Sequence, residues 1–98
     1  MEISSRIWIW EKTWSDGDTY EGGFKNGKFH GQGTYSFNDG RKYLGSWKND
    51  KMHGSGKFYF SDGRIVEGIN KNGQPWNAIM YDKDGNVIKD YVNGKIKQ

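Results

Sequence analysis

The sequence predicts an all-β protein: a single-layer antiparallel meander of stacked hairpins, about eight strands long, elongated and twisted. Three observations carry that expectation. Residues 20–42 and 43–65 spell nearly the same segment twice, with 12 of 23 positions identical when Tyr20 is set over Tyr43. Turn dipeptides recur between the runs, at Asp16-Gly17, Asn26-Gly27, Asp39-Gly40, Asp62-Gly63, Asn72-Gly73 and Asp84-Gly85. Such pairs supply the positive φ that tight hairpins need. Between the turns, large apolar and small or polar residues alternate with period two, the signature of half-buried antiparallel strands.

The elements follow in order. Residues 7–19 form a partial unit, because "WSDGDTY" at 14–20 echoes "FNDGRKY" at 37–43. In the repeat 20–42, Tyr20, Gly22 and Phe24 share one face, with Glu21, Gly23 and Lys25 on the other. After the Asn26-Gly27 turn, Gly31, Gly33, Tyr35 and Phe37 fall together, opposite Gln32, Thr34 and Ser36. The repeat 43–65 copies this pattern, with Asp50 where the turn glycine stood. The degenerate repeat 66–88 keeps Gly68 and the Lys71-Asn72-Gly73 turn. It replaces Phe-His-Gly by Pro75-Trp76-Asn77, and its Asp84-Gly85 comes one residue early. The terminal fragment 89–98 contains "YVNGK", an echo of "FKNGK" at 24–28. All five pieces make one domain, and at ~4.8 Å per strand eight strands span roughly 35–40 Å.

Composition agrees. Of the 98 residues 33% are hydrophobic and 16% aromatic, with one Leu, one Ala and fifteen Gly. Few aliphatics and many flat rings suit a thin sheet better than a two-layer core. The glycines share the aromatic face, so a ring can lie on the bare backbone that a neighbouring strand offers. The net charge of +3 permits contact with anions without demanding it. The absence of Cys excludes disulfides and thiolate metal sites. The apolar run of four at Ile7–Trp10 is too short for a signal core or a membrane span. A soluble chain is expected, cytoplasmic, at a membrane periphery or within a larger assembly.

The residues that catch the eye for chemistry have blander readings. His30 and His53 stand one unit apart, roughly 10 Å in such a sheet, too far to share one ion. Trp76 takes their place in the third unit, so each imidazole is read as a brace for its loop. The triplets at 31–33 and 54–56 do not extend to a phosphate loop, since Ser36 and Tyr59 occupy the third glycine position and no helix follows. The aspartates recur with the turns. No catalytic residue, cofactor or metal is expected.

The pattern Y-x-G-x-[WF]-x-[ND]-G-x-x-H-G-x-G-x-[YF] resembles the MORN (membrane occupation and recognition nexus) repeat. It is met by Tyr20, Gly22, Phe24, Asn26, Gly27, His30, Gly31, Gly33 and Tyr35. A second copy runs through Tyr43, Gly45, Trp47, Asn49, His53, Gly54, Gly56 and Phe58. The resemblance implies a stack of MORN-type hairpins forming a groove-like sheet with non-catalytic roles in scaffolding, oligomerisation, or contact with proteins or membranes.

Candidate partner-binding residues are the rings on the glycine-bearing face: Tyr20, Phe24, Tyr35, Phe37, Tyr43, Trp47, Phe58 and Phe60. Some of these must form the core instead. Trp8 and Trp10 join them, because "RIWIW" loads both faces of a terminal strand and makes a sticky edge for a second copy or a protein partner. The far end, finishing in lysines, reads as a blunted edge. The alternative is peripheral binding of anionic phospholipid through Lys25, Lys28, Lys48 and Lys51, which cluster at the Asn turns with Lys71 and Lys95. Acidic interruptions at Glu21, Asp50 and Glu67 and the lack of a basic run disfavour nucleic acid.

Overall fold

A computed structural model describes residues 8–97. Nine antiparallel strands form one open sheet in sequence order: β1 (Trp8–Thr13), β2 (Thr19–Lys25), β3 (Lys28–Ser36), β4 (Lys42–Lys48), β5 (Lys51–Tyr59), β6 (Ile65–Lys71), β7 (Gln74–Tyr81), β8 (Val87–Val92) and β9 (Lys95–Lys97). The count exceeds the expected eight by β9, a three-residue strand that the Asn93-Gly94 turn folds back onto β8. The molecule measures 52 × 28 × 18 Å.

Two kinds of turn alternate along the two long edges. On one edge, two-residue loops place both residues at positive φ: Asn26 and Gly27, Asn49 and Asp50, Asn72 and Gly73, Asn93 and Gly94. This mirror-image turn matches the right-handed twist of the flanking strands. The last three of these loops also donate a backbone N–H to the hairpin before them: Asp50 to Phe29 O at 3.2 Å, Gly73 to Met52 O at 2.9 Å and Gly94 to Trp76 O at 2.8 Å. Asp50 adds a second tie, accepting the Phe29 N–H on its Oδ1 at 2.7 Å. On the other edge, five-residue turns close with a bond from Trp14 N to Asp18 O, repeated from Phe37 to Arg41, Phe60 to Arg64 and Asp82 to Asn86.

The register lines up a row of small residues across the middle of the sheet: Gly22, Gly33, Gly45, Gly56, Gly68 and Ala78. We call the side bearing Tyr20 and Tyr43 the front face. The Tyr20 ring lies over Gly33, and the Tyr43 ring over Gly56, so closely that a Cβ at either glycine would collide with it. Bare backbone is thus what admits the rings. Trp47 fills the space between, its indole edge-to-face with Tyr20 at 5.6 Å and with Tyr43 at 5.2 Å. Tyr20, Tyr43 and Trp47 make one buried cluster, and Val66, Ala78 and Met80 make a second.

Irregular register appears in each central hairpin, between Gly22 and Phe24 and between Gly45 and Trp47. Opposite the irregularities, Gly31 and Gly54 take φ of 80° and 93°. Their role in the repeated His-Gly is therefore to admit a bulge. The third unit has Asn77 there, and its irregularity moves to Ile69–Asn70.

Candidate functional site

The front face sorts the candidate rings by exposure. Tyr20 and Tyr43 are 0% and 1% exposed and Trp47 is 8% exposed, so these three belong to the core. Their polar atoms are used internally. Tyr20 Oη donates to Gly23 O at 2.9 Å, Tyr43 Oη to Ser46 O at 3.2 Å, and Trp47 Nε1 to Gly33 O at 3.1 Å. Burial pushes the Tyr20 hydroxyl up to about 12, with the Asp50 charge adding to it. Burial also raises Tyr43, against the pull of its bonds with Asn70 and Ser46.

Phe24, Tyr35, Phe37, Phe58 and Phe60 are half-buried and reach the surface. Tyr35 is anchored by donating from Oη to Asp18 Oδ2 at 2.8 Å, and burial followed by that bond pushes its hydroxyl up to about 12. Phe37 and Phe60 are each covered on one side by an arginine, Arg41 at 4.2 Å and Arg64 at 4.4 Å from the ring centre. Each guanidinium is fixed by a 2.9 or 2.8 Å ion pair to Asp39 or Asp62. Backbone N–H groups of Arg41 and Arg64 in turn hold those carboxyls below their usual range.

Between successive hairpins these rings enclose two shallow apolar depressions. The first, about 290 Å³, is walled by Phe29, Tyr35, Phe37, Tyr43, Trp47 and Met52, with Asp50, Lys51 and Gly73 beyond. The second, about 170 Å³, is walled by Met52, Phe58, Phe60, Val66, Asn70 and Pro75, with Met80 and Tyr91 beyond. Each of the first six residues is the counterpart, 23 positions on, of one in the first set. The second depression is the first carried forward one repeat, with Tyr, Trp and Met replaced by Val66, Asn70 and Pro75. Sequence reasoning named the rings but missed Phe29, Met52, Met80 and Tyr91. The i to i+23 correspondence, applied to Phe29 and Met52, was the signal that pointed to those two.

The candidate lysines lie along one edge. Lys25 pairs with Lys28 and Lys48 with Lys51, all four exposed beside the two-residue turns. His30, His53 and Trp76 stand near them and are half-buried. Trp76 carries Lys71 Nζ 4.5 Å from its ring centre. Among the described residues no group of three or more His, Cys, Asp or Glu is placed to hold a metal ion. No helix among them is long and apolar enough to cross a membrane.

At the N-terminal edge, β1 pairs with β2 from Trp8↔Phe24 to Thr13↔Thr19, and its other side is open among the described residues. Trp10 is 57% exposed. The backbone of Trp8 belongs to β1; Arg6 and Ile7 lie outside the described residues. The C-terminal end departs from the blunted edge expected of it. Val87, Ile88, Val92 and Ile96 are all exposed there beside the lysines, and β9 reaches β8 only from Asp90 to Val92, short of Val87 and Ile88.

The family model of the MORN repeat matches residues 20–40 and 43–63. A search of curated proteins returned no match to the chain.

Proposed function

We infer that this chain, a MORN-repeat protein, works as a binding and scaffolding module whose front face seats a segment of a protein partner. The repeat belongs to a family of generally non-catalytic modules, and the depressions are open and mostly apolar, with Asp50 and Lys51 at the first one. The observation that carries the reading is their periodicity. Two apolar depressions one repeat apart lie about 10 Å from each other, two strand spacings. A polyproline II peptide presents side chains on one side at about that spacing every third residue, and a helix every seventh. Rings that are half-buried, clamped by arginine and hydrogen-bonded lose little entropy on contact, which favours them as anchors.

The test begins with selection of binding peptides from a displayed random library against the wild-type chain. Affinity is then measured on Phe37→Ser, Phe60→Ser and, on the back face, Leu44→Ser. The reading expects about 10-fold or greater weakening from each front-face change, in line with an anchor residue worth more than about 1 kcal/mol. Leu44→Ser leaves affinity unchanged. Binding indifferent to both phenylalanines sinks the reading.

A second reading, peripheral binding of anionic phospholipid, is favoured by the register of the lysines. Like charges stand directly opposite each other in two successive hairpins, Lys25 with Lys28 and Lys48 with Lys51. Such pairs are mutually repulsive, and an anionic surface relieves them at about 1 kcal/mol per lysine. Co-sedimentation with phosphatidylserine vesicles should exceed that with neutral vesicles and fall as salt rises. Equal binding to both vesicle types eliminates this reading without touching the first, which rests on the apolar rings and not on the lysines.

A further inference from the structure

We propose that β1 of one copy docks on the outer edge of β8 of another, so that chains join head to tail through their sheet ends. The proposal concerns the ends and not the front face, and it stands or falls apart from the peptide-binding reading.

The first support is where apolar surface lies. Among the residues whose exposure is described, seven large hydrophobics are exposed, and five of them, Trp10, Val87, Ile88, Val92 and Ile96, belong to β1, β8 and β9. The second is register. The pairing of β1 with β2 is that of β3 with β4 moved back 23 residues: Trp8↔Phe24 answers Gly31↔Trp47, and Thr13↔Thr19 answers Ser36↔Lys42. The open side of β1 is therefore the side that β3 offers to β2.

The matching acceptor is β8. Its last residues and turn, Tyr91-Val92-Asn93-Gly94-Lys95, stand where Phe24–Lys28 stand in the first repeat. Whereas β3 pairs with β2 as far as Thr19, β9 meets β8 only at Asp90, Tyr91 and Val92. Among the described residues nothing pairs with the outer side of Val87–Lys89. Residues 10–12 of a strand carrying the register of β3 fit there, short of Asp90, which already pairs with Lys97. Continuing the Gly22↔Gly33 register across the junction sets Trp10 beside Lys89, the lysine-over-tryptophan contact already present at Lys71–Trp76 and Lys12–Trp14.

Charge selects this junction over a symmetric one. Glu11 lies directly opposite Glu21. Joining β1 to a second β1 would gather four carboxylates, whereas the other end brings Lys89, Lys95 and Lys97.

Sedimentation of the full chain tests this with two variants at exposed positions, Trp10→Lys and the pair Val87→Lys/Ile88→Lys, each checked for a wild-type circular dichroism spectrum. Wild type should grow past dimer mass as concentration rises, and each variant alone should stay monomeric. Their equimolar mixture should stop at twice the monomer mass, since it holds one intact donor edge and one intact acceptor edge. Oxidation of Trp10→Cys/Lys89→Cys, in a chain with no other cysteine, should give a ladder of covalent multimers. A wild type that stays monomeric, assembly by Trp10→Lys alone, or a Val87→Lys/Ile88→Lys variant that dimerises by itself overturns the proposal. The last outcome would indicate a β1-to-β1 dimer. The absence of a ladder overturns it independently.

Discussion

Replacing Gly56 by Ala adds one carbon to a position where no unusual backbone angle is needed, so any cost comes from the Tyr43 ring. The new Cβ would collide with the hydroxyl end of that ring, standing 2.6 Å from Cε1, well inside van der Waals contact. The ring has to move. Overpacking a tight site costs about 1–3 kcal/mol. Displacing the hydroxyl also strips Asn70 Nδ2 of its 3.1 Å bond, leaving a longer 3.5 Å contact with Gly54 O, for roughly 1 kcal/mol more. The sum, about 2–4 kcal/mol, is a large part of the roughly 5–15 kcal/mol that holds a domain of this size. The third unit shows the compensated version, Val66 in place of the tyrosine and Ala78 in place of the glycine, both buried. In a Tyr43→Val background, Gly56→Ala should therefore cost less than about 1 kcal/mol, a coupling of at least about 1 kcal/mol. Urea unfolding followed by tryptophan fluorescence measures all four corners of the cycle. Equal costs in the two backgrounds would refute the claim that ring and glycine are one structural unit.

Three further expectations follow from the turns and tyrosines. Asp50→Ala keeps a left-handed residue and loses the 2.7 Å bond from Phe29 N, so it should destabilise by about 1 kcal/mol in urea unfolding; Asp50→Gly, which removes the backbone cost as well, should be nearly neutral. Gly31→Ala meets no neighbour but must hold φ of 80°, so it should cost about 1–2 kcal/mol, with Gly31→Asn milder because asparagine tolerates that region. Tyr20 and Tyr35 ionise at about 12 when folded against 10.0 in the unfolded chain. Their neutral forms thus support the fold fully below pH 10, and that support is lost as pH rises from 10 to 12. Tyrosinate absorbance should show these two and Tyr43, which burial also raises, titrating late, and the denaturation midpoint should fall across that window.

Fold was legible because each level of the sequence repeats the same instruction. Asn-Gly pairs fix the two-residue turns, alternation fixes the faces, and the tyrosine–glycine pairing across strands fixes the register. The hairpin at β8–β9 was half-visible in "YVNGK", but its three-residue strand falls below any period. The candidate site was legible only as a list of rings. Period two puts Tyr20, Tyr43 and Phe58 on one face equally. It does not tell that the hydroxyl of a tyrosine finds a carbonyl three residues on while Phe58 stays at the rim. That division depends on which strand's glycine lies beneath each ring. Gly31 was read as ring floor from its parity, whereas its positive φ belongs to a bulge that alternation cannot display. The C-terminal end was read as blunted from its alternation and its lysines; Val87 and Ile88 lie beyond the reach of β9, which stops short of them.

On the reading proposed above, a partner segment places one apolar side chain in each of the two depressions. Intermolecular nuclear Overhauser contacts between a selected peptide and the labelled protein are the decisive measurement. Two separate peptide side chains about 10 Å apart are expected, one touching the Phe37 and Tyr35 rings and the other touching Phe60 and Met80. Contacts confined to the lysine edge, to β1, or to a single depression would contradict it.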